Sequence, residues 1–169
     1  VLALNFVAFQ LGWFACVLGA ARNLPWLGPV VVTLIVLVTG WFAPRRDSFL
    51  LLLGLSGAVG LCWDSALAAS GLIAYAPGPI TPPLAPLWIL ALWLLFASTF
   101  NLSMRWLQSR MLLAAALGAV AAPLSYLAGE RLGALRLLRP EGALLAQAVG
   151  WALMMPVLLS FARRLNARA

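Results

Sequence analysis

Six apolar runs, each about long enough to cross a hydrocarbon core of roughly 30 Å, follow one another at 4–21, 25–43, 49–74, 84–106, 111–129 and 142–162. Inside a bilayer every backbone polar group needs an internal partner, which restricts segments of this kind to helices. The chain is therefore predicted to be an all-α, polytopic membrane bundle of six transmembrane helices forming one domain over residues 1–169. Hydrophobic residues at 64% and charged residues at 9% lie far from ordinary soluble composition, which is about 45–50% and 25%. The first run is apolar from Val1 with no basic region ahead of it, and it reads as a first span rather than a signal peptide.

The connections carry helix punctuation. Asn23 is placed to cap the second helix with Pro25 in its first turn, Pro44 closes that helix, and Asp47 or Ser48 caps the third. Pro77, Pro79, Pro82, Pro83 and Pro86 crowd the connection after the third helix, which predicts a stiff extended loop. Seven arginines (Arg45, Arg46, Arg105, Arg110, Arg163, Arg164, Arg168) fall on one side of the predicted bundle and four (Arg22, Arg131, Arg136, Arg139) on the other. This bias places both termini in the cytoplasm. Trp26, Tyr75, Trp88 and Trp106 lie near span ends, where amphipathic rings favour the membrane interface.

The formal charge of +7 comes from 11 basic residues, all arginine, scattered between apolar runs rather than gathered in a patch. That distribution fits topology signals and contact with the lipid bilayer, and it gives no nucleic-acid partner. With no histidine, the commonest metal ligand and general base is missing, and with no lysine there is no Schiff-base site. Cys16 and Cys62 lie within apolar helices without metal-ligand spacing and read as apolar packing residues. No cofactor and no metal are expected.

Asp64 is the outstanding polar residue, a lone carboxylate inside the third apolar run. A charge in mid-span costs roughly 2.5–3.5 kcal/mol on insertion scales, so it should face a partner or a wet cavity. At a rise of about 1.5 Å per residue, Asp64 falls ~4 Å outward of the midplane and Ser125 and Gln147 ~8 Å, close enough to meet. Tyr126 and Glu130 extend this layer toward the outer surface, where Arg131, Arg136 and Arg139 follow. The ligand-binding candidates are thus Asp64, Ser125, Tyr126, Gln147 and Glu130 around an outward polar pocket. The alternative for Asp64 is a buried interhelical hydrogen bond or a protonated carboxyl.

A second polar layer lies on the inner half: Asn5 and Gln10 on helix one, and Ser98, Asn101 and Arg105 at helical spacing on one face of helix four. Asn101 differs from Asp64 by ~13 Å in depth and is expected to tie helices together. Helix one also carries Ala8, Gly12, Cys16 and Ala20 at four-residue spacing, and helix five carries Ala114, Gly118, Ala122, Ser125 and Gly129. Small residues in this register let another helix approach closely, either within the bundle or from a second membrane subunit.

The run from Asn5 through Gln10, Trp13 and Cys16, the segment Gly60-Leu-Cys-Trp63-Asp64-Ser, and the stretch from Leu87 through Trp93 and Phe96 to Asn101-Leu-Ser103 resemble domain-of-unknown-function family 2878. The resemblance covers nearly the whole chain and implies a small, multi-pass bacterial inner-membrane protein. It supplies no activity. In architecture the six short spans, the seam on helix one and the outward pocket are similar to the substrate-binding subunits of energy-coupling-factor vitamin transporters and to the rod-shape protein MreD. The leading expectation is a non-enzymatic protein that binds or transports a small solute. A scaffold or accessory subunit of envelope or lipid-handling machinery, docking through the small-residue seams, is the alternative. A lipid-modifying enzyme ranks last, since no histidine, lysine or paired carboxylates share a span.

Overall fold

The computed structural model describes residues 2–77 and 84–167. Among them are six α-helices: α1 (Leu2–Ala21), α2 (Leu27–Trp41), α3 (Arg46–Ala69), α4 (Leu87–Ala97), α5 (Met111–Arg131) and α6 (Pro140–Ala167). Helices α1, α3, α5 and α6 are long and apolar enough to cross a membrane, and α2 and α4 are shorter apolar helices. Large apolar side chains such as Leu34, Leu37, Leu112, Val120, Leu145, Leu153 and Val157 stand exposed on the outside of the bundle. An apolar exterior on this scale needs lipid rather than water around it, and it fits a membrane protein.

Helix α4 is the hub. Trp88, Ile89, Ala91, Trp93, Leu95 and Ala97 are all buried, spread around the helix rather than along one face. Helices α1, α2 and α3 pack on it, while α5 and α6 form a close pair that joins α3 through α6. Its 11 residues reach only ~16 Å. The predicted continuous helix through 106 is replaced by turns over 98–104 and a 3-10 helix at Arg105–Ser109. Ser98 Oγ and Thr99 Oγ1 each donate to the carbonyl three residues back, on Leu95 and Phe96, and so compete with the helical ladder where it stops. Ser98, Asn101 and Arg105 consequently do not share a helix face.

The third helix also ends earlier than the apolar run suggested. Gly71 at φ +68° takes the left-handed conformation, and the Leu72 amide bonds back to the Leu67 carbonyl, a Schellman closure. Gly133 at φ +86° closes α5 in the same way, with Ala134 N–H on the Gly129 carbonyl. Beyond each stop the chain forms a short strand, β1 (Ile73–Tyr75) and β2 (Leu135–Leu137), paired antiparallel with Ala74 opposite Arg136. Ile73, Tyr75, Leu135 and Leu137 face inward and Ala74 and Arg136 outward, so the ribbon covers one end of the bundle. The apolar residues of β1 had prolonged the predicted span to 74.

Asn23 has φ 57° and ends α1 rather than capping α2. Helix α3 starts after Arg45 without a side-chain cap, and Asp47 lies within its first turn, where its charge suits the helix dipole. Tyr75 and Trp88 are buried, not interfacial, whereas Trp26 and Trp106 are exposed as expected. Cys16 is buried and Cys62 faces outward, and both are free thiols. Pro79, Pro82 and Pro83 of the proline-rich connection lie outside the described residues.

Both small-residue seams are filled from within the bundle. On α1, Gly12 receives the Leu95 side chain and Cys16 lies against Gly28 of α2, while Ala20 is buried and Ala8 half-buried. On α5, Ala114, Gly118, Ala122 and Gly129 are buried, and a Cβ on Gly118 would stand 2.5 Å from the Trp151 carbonyl oxygen of α6. The seams are the reason these helices approach as closely as they do.

Candidate functional site

The buried face of α3 runs through Phe49, Leu52, Leu53, Ser56, Gly57, Gly60, Asp64 and Leu67, a three-to-four-residue spacing that turns Asp64 into the bundle. Because α3 stops at Ala69, Asp64 lies ~10 Å from the helix midpoint, near the end that the ribbon covers. It is fully buried. Three side chains from three other elements donate to it. Trp93 of α4 gives its Nε1 hydrogen to Oδ2 at 2.7 Å, Tyr75 of β1 gives its hydroxyl to Oδ1 at 2.6 Å, and Tyr126 of α5 also donates to Oδ1. Burial, with Tyr126 and Asp64 nearby, raises the Tyr75 pKa well above the usual phenol value and keeps it a donor. All three contacts use the Asp64 oxygens as acceptors.

Trp93 and Tyr126 are shared with a cavity. A partly open space of about 90 Å³ lies among α1, α4, α5 and α6, walled by the rings of Phe9, Trp13, Trp93, Phe96, Tyr126 and Trp151 together with Ile89, Leu92 and Ser125. The Trp93 and Trp151 rings stack at 4.7 Å, and Phe96 meets Trp151 edge-on at 5.1 Å. Helix α1 packs on α2 and α4, and α5 packs on α6, which leaves α1 and α5 on either side of the space. A hydrogen bond from Trp13 Nε1 to Ser125 Oγ at 3.1 Å links them.

The sequence-derived site residues divide. Ser125 and Tyr126 line the cavity, and Asp64 stands behind its wall, bonded to Tyr126 but to neither Ser125 nor Gln147. Gln147 is fully buried beside Tyr126 and accepts from Trp63 Nε1 at 3.2 Å, while its own amide nitrogen has no hydrogen-bond partner among the described residues. Glu130 lies apart, accepting the Leu137 backbone N–H at 2.8 Å and so holding β2. Arg131, Arg136 and Arg139 are exposed and do not line the cavity. An outward polar pocket ringed by these residues is not what the geometry forms. The cavity is aromatic, and Asp64 fixes two of its rings from behind.

The inner polar residues act as structural ties. Asn5 accepts from Ser103 Oγ at 2.7 Å, and Asn101 accepts from Gln108 at 3.1 Å and from Asn166 of α6 at 2.8 Å. Ser98 bonds its own helix end, and Gln10 and Arg105 are exposed and outside this network.

Tyr75, Trp93, Trp13 and Trp151 were not identified as site residues from the sequence. The available signal was the tryptophan content itself, 8 in 169 residues, since buried indoles need partners for their N–H groups. No curated protein and no solved structure matches the chain. The stretches around Asn5, Asp64 and Trp93 that carried the family resemblance are the same ones that build the carboxylate cluster and the cavity wall, and the match extends over residues 2–157: the chain belongs to the family described as protein of unknown function, DUF2878.

Proposed function

We propose that this is a non-enzymatic inner-membrane protein of six spans that binds a small apolar or amphipathic molecule in the aromatic cavity and passes it to or from the bilayer between α1 and α5. The observation that carries the reading is that Trp93 and Tyr126 line the cavity while both are anchored on buried Asp64. Pockets that are mostly apolar, with a few fixed polar groups, are what small ligands occupy. At about 90 Å³ the space accommodates one compact group, so the rest of a larger ligand would extend through the open side. A scaffold role loses support because the seams on α1 and α5 are occupied inside the bundle. The arginine bias supports an orientation with the ribbon outward and the opposite end in the cytoplasm, where Arg46 lies over Trp41 and Arg110 over Trp106.

Native mass spectrometry of the detergent-solubilised protein tests the binding role. A small-molecule adduct is expected on the wild type and should be lost from Leu92→Trp, which fills the cavity. An adduct retained by the filled variant, or none on either protein, overturns it.

A further inference from the structure

We infer that the compact group held in the cavity is an ammonium cation, methylated or primary, whether carried on a lipid headgroup or on a free amine. This rests on the cavity being a ligand site and adds the chemistry of that ligand. Asp64 supplies the first argument. It is a fully buried acidic side chain whose three partners, Tyr75, Trp93 and Tyr126, are all neutral. Arg131, Arg136 and Arg139 make no contact with it and stand exposed at the ribbon end. A buried carboxyl stays ionised only where a positive charge or a metal complements it, because hydrogen bonds from neutral donors leave the net charge in place. An alkyl or isoprenoid ligand would do nothing for that charge. A cation one ring-width away would complement it.

The cavity wall supplies the second argument. Its rings are the surfaces that attract ammonium groups, with indole the strongest; Trp13 and Trp151 supply the indoles, since the Trp93 ring is packed between Gly60 and Trp151. Tyr126, also in the wall, donates a hydrogen bond to Asp64, which pushes electron density into its π system and strengthens its hold on a cation. The volume of about 90 Å³ suits a compact head such as trimethylammonium. Among the described residues no charged side chain lines the cavity to repel or replace the cation. Asp64 is then a positioning and polarising residue rather than a direct contact.

The test uses two probes of matched shape, choline and its uncharged isostere 3,3-dimethylbutan-1-ol, titrated onto the purified full-length protein while tryptophan fluorescence is read. Choline is expected to saturate the signal with the neutral alcohol at least tenfold weaker, and Asp64→Asn, which removes the acid and keeps one of its two acceptor oxygens, should shrink that ratio toward one. Equal binding of the two probes overturns the ammonium assignment while leaving the cavity as an apolar site. If free choline fails, the protein is moved into nanodiscs of phosphatidylglycerol alone or with phosphatidylcholine or phosphatidylethanolamine. A saturable change with only the amine-bearing lipids supports the inference and names the source as lipid. No response to any amine overturns it, and the adduct experiment on Leu92→Trp decides the cavity reading separately. Should Asp64→Asn fail to fold, the wild-type ratio between the two probes still decides.

Discussion

The indole of Trp93 lies flat against Gly60, where an added Cβ would fall 2.1 Å from the ring, and its Nε1 then reaches Asp64 one turn further along α3. Glycine at 60 is thus what allows an α4 tryptophan to bond an α3 carboxylate.

Gly60→Ala should break that arrangement, because a rigid ring packed between helices cannot yield by an ångström. Overpacking of this kind costs about 1–3 kcal/mol. A thermal unfolding series in detergent should show the loss for Gly60→Ala and none for Gly54→Ala, whose Cβ would meet nothing within 4 Å. The Gly54 change should raise stability by roughly 0.5–1 kcal/mol through helix propensity. Equal effects at the two positions would contradict the packing described.

Removing Asp64 should cost more than removing any one of its donors. Asp64→Ala leaves three buried donors without an acceptor, at about 1–3 kcal/mol each, whereas Tyr75→Phe or Tyr126→Phe deletes one bond to a charged group, worth about 1.5–3 kcal/mol. The expected order of melting temperature is wild type, then the single phenylalanine variants, then Asp64→Ala. If the phenylalanine variants melt as low as the alanine variant, the three contacts are not a shared cluster.

Gly118→Leu should pry α5 from α6, since even a Cβ there stands 2.5 Å from a backbone carbonyl that has no rotamer to escape through. A disulfide cross-link engineered between the two helices would form efficiently in the parent and poorly in this variant. Gly118→Leu with unchanged cross-linking would show that the helices are not in contact at this level.

The two thiols should react unequally. Cys62 is exposed on α3 and Cys16 is fully buried between α1 and α2. A lipid-soluble maleimide is expected to add once to the native protein, with the mass shift abolished in Cys62→Ser, and twice after denaturation. Labelling at Cys16 in the folded state would mean that α1 and α2 separate.

The positions of the helices were readable because apolar runs of span length leave few alternatives, and all six runs contain a helix. Their ends were harder. Leu72, Ile73, Ala74 and Tyr75 are apolar enough to extend a span, and only Gly71 marks where the helix turns into a strand. Trp93 looked like any large apolar residue, and its bond to Asp64 depends on α4 being short and central, a consequence of Ser98 and Thr99 capturing carbonyls at its end. Depth along the spans put Ser125 and Gln147 level with Asp64 and Tyr126 further out, yet gave no account of azimuth, and it is Tyr126 that bonds Asp64. Gln147 therefore faces Trp63 and Glu130 faces the ribbon. Neither direction can be taken from a residue count.

The ribbon joins Ile73 to Leu137 and the carboxylate cluster joins Asp64 to Tyr126, so both are closed by the last third of the chain. During synthesis α3 enters the bilayer with Asp64 bare, and the acid gains its last donor only when α5 arrives. A nascent chain that stalls between α4 and α5 therefore presents an uncompleted acid to the membrane. The finished protein hides it altogether, so exposure of this one acid distinguishes a bundle still lacking α5 from a completed one.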